Sequence, residues 1–174
     1  MSEKITRRSF IKKSTAFGVS SVFGGTLIPN ITSGDETIDI AVVKGQNYFE
    51  NTKKAIELLG GMGKFVPKNS KVALLPIPQS NNPGTFTKPQ IVRAAIQMCK
   101  EAGVKEICCI GWLPERHWVN TGMKKVIDAE NIELVIANLR DESLFKPVSV
   151  PRGVALKQAR IMKSFYNYDV LRVY

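Results

Sequence analysis

The stretch that decides the fold is PQIVRAAIQMCKEAGVKEICCI, residues 89–110. Its first half repeats apolar residues at helical spacing, and Pro89 suits the first turn of a helix because its missing N–H is not needed there. Gly103 is typical of the position just after a helix ends. The apolar run Val104–Ile110 then predicts a buried strand. A helix that leads into a buried strand is half of a parallel β-α-β unit.

The same alternation continues on both sides of this stretch. We predict strands at Ile38–Val43, Val72–Leu75, Val104–Ile110, Leu134–Ala137 and Asp169–Val173, and helices at Tyr48–Leu59 and near Gly122–Ala129. Val148–Val150 and Val154–Leu156 flank Pro151-Arg152-Gly153 and predict a hairpin, followed by a short helical stretch near Ala159–Phe165. Strands alternating with helices predict an α/β fold with an open, mostly parallel sheet, which the small hairpin makes locally mixed.

Residues 1–33 have the composition of an export signal. Adjacent Arg7 and Arg8 are followed by Phe10 and Lys12, and then by a glycine-diluted apolar run. A basic start before a short apolar region is typical of a signal peptide, and paired arginines mark the twin-arginine route. The run is shorter than the roughly 20 apolar residues that span a bilayer. The alternative is a basic amphipathic helix lying on a membrane or on the domain.

This signal predicts export across the cytoplasmic membrane, with the twin-arginine translocase as a partner. An Ala-x-Ala triplet does not precede Asp35, so cleavage and retention as a membrane anchor both remain open. The membrane is expected to be contacted only through this segment. Residues 34–174 then form one α/β domain, because about 140 residues are enough for a single core.

Charge and cysteine content narrow the classes of function. The formal net charge is +10, inflated by the basic signal, and the remaining lysines are scattered and not interleaved with aromatic residues. We therefore expect no nucleic-acid partner and favour an anionic small molecule. Cys108 and Cys109 are neighbours on a predicted strand, so their thiols face opposite sides and cannot easily hold one metal. With Cys99 they are expected to be buried and inert.

The first candidate ligand loop, residues 76–88, leaves a strand and ends at a helix N-terminus. Ligands of open α/β sheets bind beyond the carboxyl ends of the strands, and free N–H groups at a helix start favour anions. The candidate ligand-binding residues are Asn81, Asn82, Thr85, Thr87 and Lys88. The alternative is turn chemistry alone, since Asn, Pro and Gly shape turns and Thr87 is near a helix cap.

The second candidate loop, Gly111–Asn120, contains the only histidine of the chain and both tryptophans. These side chains either line a pocket or belong to a partly exposed structural loop. One histidine with one glutamate is far short of a metal site, and no catalytic residue can be assigned. Gly60–Phe65 lacks the spacing of a phosphate loop and is better explained as a helix end.

Several segments resemble the family called domain of unknown function 362 (DUF362). They are the helix from Tyr48 to Met62, the strand Val72–Leu75, the loop Asn81–Pro89 and the helix Ile91–Gly103. The resemblance implies a bacterial or archaeal α/β protein, often with a twin-arginine signal. Some relatives carry separate ferredoxin-type iron–sulfur modules. This chain has no C-x-x-C, so no evident motif in it binds such a cluster or another cofactor.

Two departures from the family pattern bear on function. The asparagine that usually follows the second strand is replaced within Pro76–Gln79, and relatives continue beyond Asp169–Leu171 into a further lobe. The chain is therefore expected to be the N-terminal portion of a longer domain. The resemblance implies an exported protein of unestablished activity. The twin-arginine route, which carries proteins that fold in the cytoplasm, adds the expectation that the protein is cofactor- or redox-associated. The alternatives are an exported module that binds an anion or small ligand, and an inactive gene fragment.

Overall fold

The computed structural model describes residues 40–80, 82 and 84–173. The residues proposed for the export signal, Arg7, Arg8, Phe10 and Lys12, lie outside this part, so the signal stays a prediction. No helix in the described ranges is long and apolar enough to cross a membrane.

A parallel sheet and a separate hairpin make up the β-structure. The strands of the four-stranded sheet are β1 (Lys71–Leu75), β2 (Glu106–Gly111), β3 (Glu133–Ile136) and β6 (Val170–Val173). Their order is β3-β2-β1-β6, and all three pairings are parallel. The antiparallel hairpin consists of β4 (Phe145–Ser149) and β5 (Gln158–Met162). The predicted fold class, an α/β protein with a mostly parallel sheet and a small hairpin, is confirmed.

The α-helices of the described residues are α1 (Tyr48–Leu58), α2 (Pro89–Glu101), α3 (Glu115–Asn120) and α4 (Met123–Ala129). Short 3₁₀ turns occupy Met62–Lys64, Glu142–Leu144 and Lys163–Asn167. Helix α2 begins as predicted, with Pro89 in its first turn, and Gly103 follows its end at a φ of 77°. That φ is in the left-handed region, which glycine adopts without a steric penalty.

The helices and the hairpin cover opposite faces of the sheet. Leu74 and Cys109 belong to the core that the sheet shares with α2, α3 and α4. Cys108 and Ile110 belong to a second cluster that includes Met162 of β5. The β1-β2 and β2-β3 connections advance across the sheet, whereas the β3-β6 connection returns. Connections between parallel strands are right-handed, so two connections that cross the sheet in opposite directions lie on opposite faces. This explains why the helices cover one face of the sheet and the hairpin covers the other.

The cysteines behave as the strand pattern predicts. All three are buried and form no disulfide, and Cys108 and Cys109 contribute to different cores. Burial raises the pKa of the Cys108 thiol to about 11, against a smaller lowering effect of the Tyr168 hydrogen bond. Burial also raises the pKa of Cys109 to about 12. Both therefore remain protonated thiols near neutral pH, which makes them poor nucleophiles.

The strand predicted at Ile38–Val43 is wrong over its described part. Residues 40–43 form no strand, and Ile40 and Val42 are 71% and 87% exposed. An apolar run becomes a strand only when a neighbouring strand accepts its backbone hydrogen bonds. None of the described strands pairs with this segment.

The hairpin is real, but its second arm is shifted along the chain. Val154–Leu156 is not a strand, and Val154 is 94% exposed. The arm is β5, which pairs with β4 through Pro147 and Arg160. The helical stretch predicted near Ala159–Phe165 is therefore wrong up to Met162, and only its end falls in the 3₁₀ helix Lys163–Asn167. The alternation of polar and apolar residues in β5 is too short to distinguish a strand from a helix in the sequence.

Glu130 joins α2 to the end of α4. Its carboxylate accepts hydrogen bonds from Gln97 Nε2 at 2.7 Å, Lys100 Nζ at 2.9 Å and Arg93 Nε at 3.3 Å. The side chain is only 12% exposed. Burial by itself raises the pKa of Glu130, but the hydrogen bonds from Lys100, Gln97 and Arg93 outweigh it, so the pKa is lowered.

We expect Glu130→Gln to lower the free energy of unfolding at neutral pH by about 1–2 kcal/mol, because charge-assisted hydrogen bonds are lost. A lowered pKa in the folded state gives stability above the ordinary glutamate pKa, which disappears as pH falls through the folded value. Urea unfolding at several pH values should show the wild-type advantage shrinking in acid. Glu101→Gln, which breaks one exposed contact with Lys53 at 3.4 Å, is the control and should cost about 0.5 kcal/mol. An advantage that persists unchanged in acid would contradict this role.

Candidate functional site

The carboxyl ends of β1, β2 and β3 lie at one edge of the sheet because the strands are parallel. Strand β1 lies between β2 and β6. From β1 the chain crosses the sheet in one direction to form β2 and β3, and it then returns past β1 to form β6 on the other side. Open α/β sheets bind ligands outside the strand carboxyl ends near such a reversal. The loops that follow β1, β2 and β3 therefore border the expected site.

A cavity of about 360 Å³ opens at this edge, between the sheet and the β4-β5 hairpin. Leu75 and Gly111 contribute from the ends of β1 and β2, Ala137 contributes from the position after β3, and Phe145 and Met162 contribute from the hairpin. Ile110, Ile161 and Phe165 also line it. Pockets of this size with apolar walls are typical of small-molecule sites.

Three of the lining residues retain substantial contact with solvent and so border the opening. Trp112 and Leu139 are 44% and 56% exposed, and the Arg160 side chain is 56% exposed. The Arg160 guanidinium pairs with the Glu142 carboxylate and lies 5.9 Å from the centre of the Phe145 ring. The hydrogen bond between the two raises the pKa of Arg160 and lowers the pKa of Glu142. The positive charge at the opening is therefore already compensated.

The loop after β1 is held together by its own hydroxyl groups. Thr87 N donates to Ile77 O at 3.0 Å, and Ile77 N donates back to Thr87 Oγ1 at 3.2 Å. Thr85 Oγ1 donates to Asn82 O at 2.8 Å and to Ser80 O at 3.3 Å. Both threonine hydroxyl groups thus take part in the hydrogen bonds of the turn, and their role in ligand binding stays a prediction.

The predicted ligand-binding residues of this loop are only partly brought together. Thr85, Thr87 and Lys88 line an open concavity of about 710 Å³ that also includes Tyr48, whereas Asn82 is not part of its wall. Asn81 lies outside the described residues. Lys88 Nζ lies 4.5 Å from the centre of the Phe86 ring. Ile91 N donates to Lys88 O, and Pro89 has no N–H, so the first turn of α2 offers few free donors. Anion binding here stays a prediction.

The loop after β2 is shorter than predicted, because Glu115–Asn120 forms α3. Trp118 on this helix is fully buried in the helix-side core, and its Nε1 donates to Leu113 O at 3.0 Å. His117 Nδ1 lies 2.8 Å from Gln79 O, so the two candidate loops touch. One tryptophan is therefore structural and the other, Trp112, borders the cavity.

A family model of known sequences matches residues 71–171, from the start of β1 into β6. Its description is "Domain of unknown function (DUF362)". The chain belongs to the DUF362 family. The match includes the whole cavity wall, whereas α1 precedes it. No curated protein and no solved structure is significantly similar to the chain.

Sequence reasoning missed the part of this DUF362 site that the hairpin supplies. Phe145, Arg160 and Phe165 line the cavity, but Arg160 and Phe165 fell in a stretch predicted to be helical. The polar–apolar alternation of residues 158–161 was the signal in the sequence, but it covers only four residues. Among the described residues, no group of three or more His, Cys, Asp and Glu side chains could hold a metal ion.

Proposed function

We propose that this DUF362 chain is an exported protein that binds a small, largely apolar ring-bearing molecule in the cavity at the carboxyl edge of its sheet. The observation that carries the proposal is the position of the cavity. It opens where the ends of β1 and β2 meet the covering hairpin, which is where open α/β sheets bind ligands.

The chemistry of the wall sets the class of ligand. Side chains such as Ile110, Phe145 and Met162 offer carbon surface, and each buried Å² of apolar area contributes about 25 cal/mol. Trp112 offers an exposed ring face against which a planar ring can stack. Oxygen, nitrogen and thiolate ligands suit metal ions, whereas this lining suits an organic ring. The ring of an organic cofactor fits this description and would agree with the expected cofactor association.

The binding proposal is tested with N-phenyl-1-naphthylamine, a neutral aromatic dye whose emission rises in apolar surroundings. The folded chain should bind it saturably. Leu139→Trp, which fills the opening of the cavity, should weaken binding, and Leu156→Trp should leave it unchanged. Saturable binding whose affinity is the same in the wild type and in Leu139→Trp would show that the dye binds elsewhere and would contradict the proposal.

Export is the second part of the proposal and is supported by the Arg7-Arg8 pair with its apolar run. We expect the exported fraction of the chain to fall when both arginines are replaced by lysine in a bacterium that has a twin-arginine translocase. Charge is conserved, so only the guanidinium groups are tested. Lys13→Arg is the matched control. Equal export of all three proteins would contradict this route.

Anion binding by the loop after β1 is the alternative function, favoured by the wide concavity beside Lys88. In that case phosphate or succinate should raise the melting temperature, and Lys88→Ala should abolish most of the rise because the cation is removed. Lys105→Ala, which removes an exposed lysine at the amino-terminal edge of the sheet, should retain it. A rise that survives Lys88→Ala would rule out this site.

A further inference from the structure

A small polar recess lies where the loops after β1 and β2 touch. Its volume is about 150 Å³, and its lining consists of Gln79, Ser80, His117, Asn120 and Thr121. It is separate from the apolar cavity, with which it shares none of these residues. None of the lining residues carries a formal charge apart from the imidazole of His117 when it is protonated.

The contact between His117 and Gln79 fixes the position of a proton. His117 Nδ1 lies 2.8 Å from the Gln79 carbonyl oxygen. A carbonyl oxygen only accepts hydrogen bonds, so Nδ1 must carry the hydrogen. The neutral ring therefore has its lone pair on Nε2, where it can accept a hydrogen bond. Nε2 has no hydrogen-bond partner in the described part of the chain.

Both sides of the recess are held in place by the fold. His117 is followed by the fully buried Trp118, and the His117 carbonyl accepts from Thr121 Oγ1 at 2.8 Å. Gln79 follows Pro78, which bridges to Phe86 across the base of its loop. A binding site whose backbone is already held in place loses little conformational entropy when a ligand binds.

The other polar groups of the recess are neutral, and much of their hydrogen-bonding capacity is not used by the described residues. The carboxamides of Gln79 and Asn120 make no hydrogen bond to any described residue, and each offers donors and an acceptor. Ser80 Oγ accepts from Asn82 N at 3.3 Å and keeps its own hydrogen for donation. Hydroxyl groups, which donate and accept at once, match such a set better than a carboxylate, which only accepts.

We propose that this recess is a binding site for a small neutral polyhydroxyl molecule, of the sugar or polyol class. His117 Nε2 accepts a hydrogen bond from one hydroxyl, and the carboxamides of Gln79 and Asn120 bind its neighbours. His117 is thus a binding residue in this proposal and performs no bond-breaking step.

The first test measures the tautomer, and it is unambiguous because the chain has a single histidine. Nitrogen chemical shifts of the neutral ring in the full chain should report hydrogen on Nδ1, the form that free histidine disfavours. Hydrogen on Nε2 would remove the acceptor and overturn the proposal.

The second test measures binding with D-glucose and myo-inositol as probes and succinate as the anionic comparison. At least one of the polyols should shift the His117 ring and Asn120 side-chain signals saturably. The effect should be lost in Asn120→Leu, read at His117, and kept in Asn167→Leu, an exposed asparagine outside the recess. Saturation by succinate alone, no saturable shift, or persistence in Asn120→Leu would each overturn the proposal. Leu139→Trp should not change these polyol-induced shifts, so the result for the recess is independent of whether the apolar cavity binds the dye.

Discussion

Trp118→Ala should lower the free energy of unfolding of the domain by about 3–5 kcal/mol, the range for truncating a large aromatic side chain in a core. Trp118 is fully buried and packs in the core that joins α2, α3 and α4 to the sheet. A β-carbon placed on Gly111 would lie 2.4 Å from Trp118 Cζ2, which shows how closely the ring approaches β2. Truncation therefore leaves a cavity and removes the hydrogen bond to Leu113 O.

The loss is measured by urea unfolding followed with far-ultraviolet circular dichroism, because tryptophan fluorescence changes in the variant. Trp112→Ala is the matched control, since Trp112 belongs to the same segment but is 44% exposed. It should cost about 1 kcal/mol or less, as expected for a partly exposed side chain. Equal losses in the two variants would contradict the different roles assigned to the two tryptophans.

Leu139→Trp should weaken the affinity for N-phenyl-1-naphthylamine at least about tenfold, equivalent to about 1.4 kcal/mol. Leu139 is 56% exposed at the opening of the apolar cavity, so the larger indole side chain of the variant can be accommodated there without straining the core. Within a cavity of about 360 Å³, an indole occupies much of the space that the dye needs. The expected effect is competition for volume, with little change in stability.

Leu156→Trp is a closely matched control for this experiment. Leu156 is 57% exposed and lies in the hairpin connection, away from the cavity wall. Both variants add one indole to an exposed leucine position, so nonspecific attraction of the dye to new apolar surface affects them equally. Similar affinities in both variants, whether weakened or not, would show that the dye does not depend on the opening at Leu139.

The centre of the fold could be predicted from the sequence because its signals are local. Pro89, Gly103 and the periodic residues between them define α2, and the apolar run after them defines β2. The alternation in a strand also predicted that Cys108 and Cys109 would face opposite cores. These features need only neighbours within a few residues, and they were correct to within a few positions.

The failures occurred where a distant partner decides the structure. Residues 40–43 have the pattern of a strand but no described strand beside them. Gln158–Met162 has little strand character by itself and becomes β5 because β4 pairs with it. The Lys163–Asn167 turn then carries Phe165 to the cavity.

Only part of the candidate site could be predicted from the sequence, for the same reason. Both loops at the carboxyl edge were predicted as site loops, and they do meet through Gln79 and His117. The wall that closes the apolar cavity comes from the hairpin, whose packing against the sheet is set by residues far apart in the chain, such as Ile110 and Met162. No local pattern in the sequence reports that contact.

The most direct test of the account locates the bound dye. Intermolecular nuclear Overhauser effects should be measured between N-phenyl-1-naphthylamine and methyl-labelled chain. We predict contacts to the methyl groups of Ile110, Ile161 and Met162, which line the apolar cavity. Contacts to Ile77 and Ile91 instead, which line the concavity beside Lys88, would contradict the proposed ligand site.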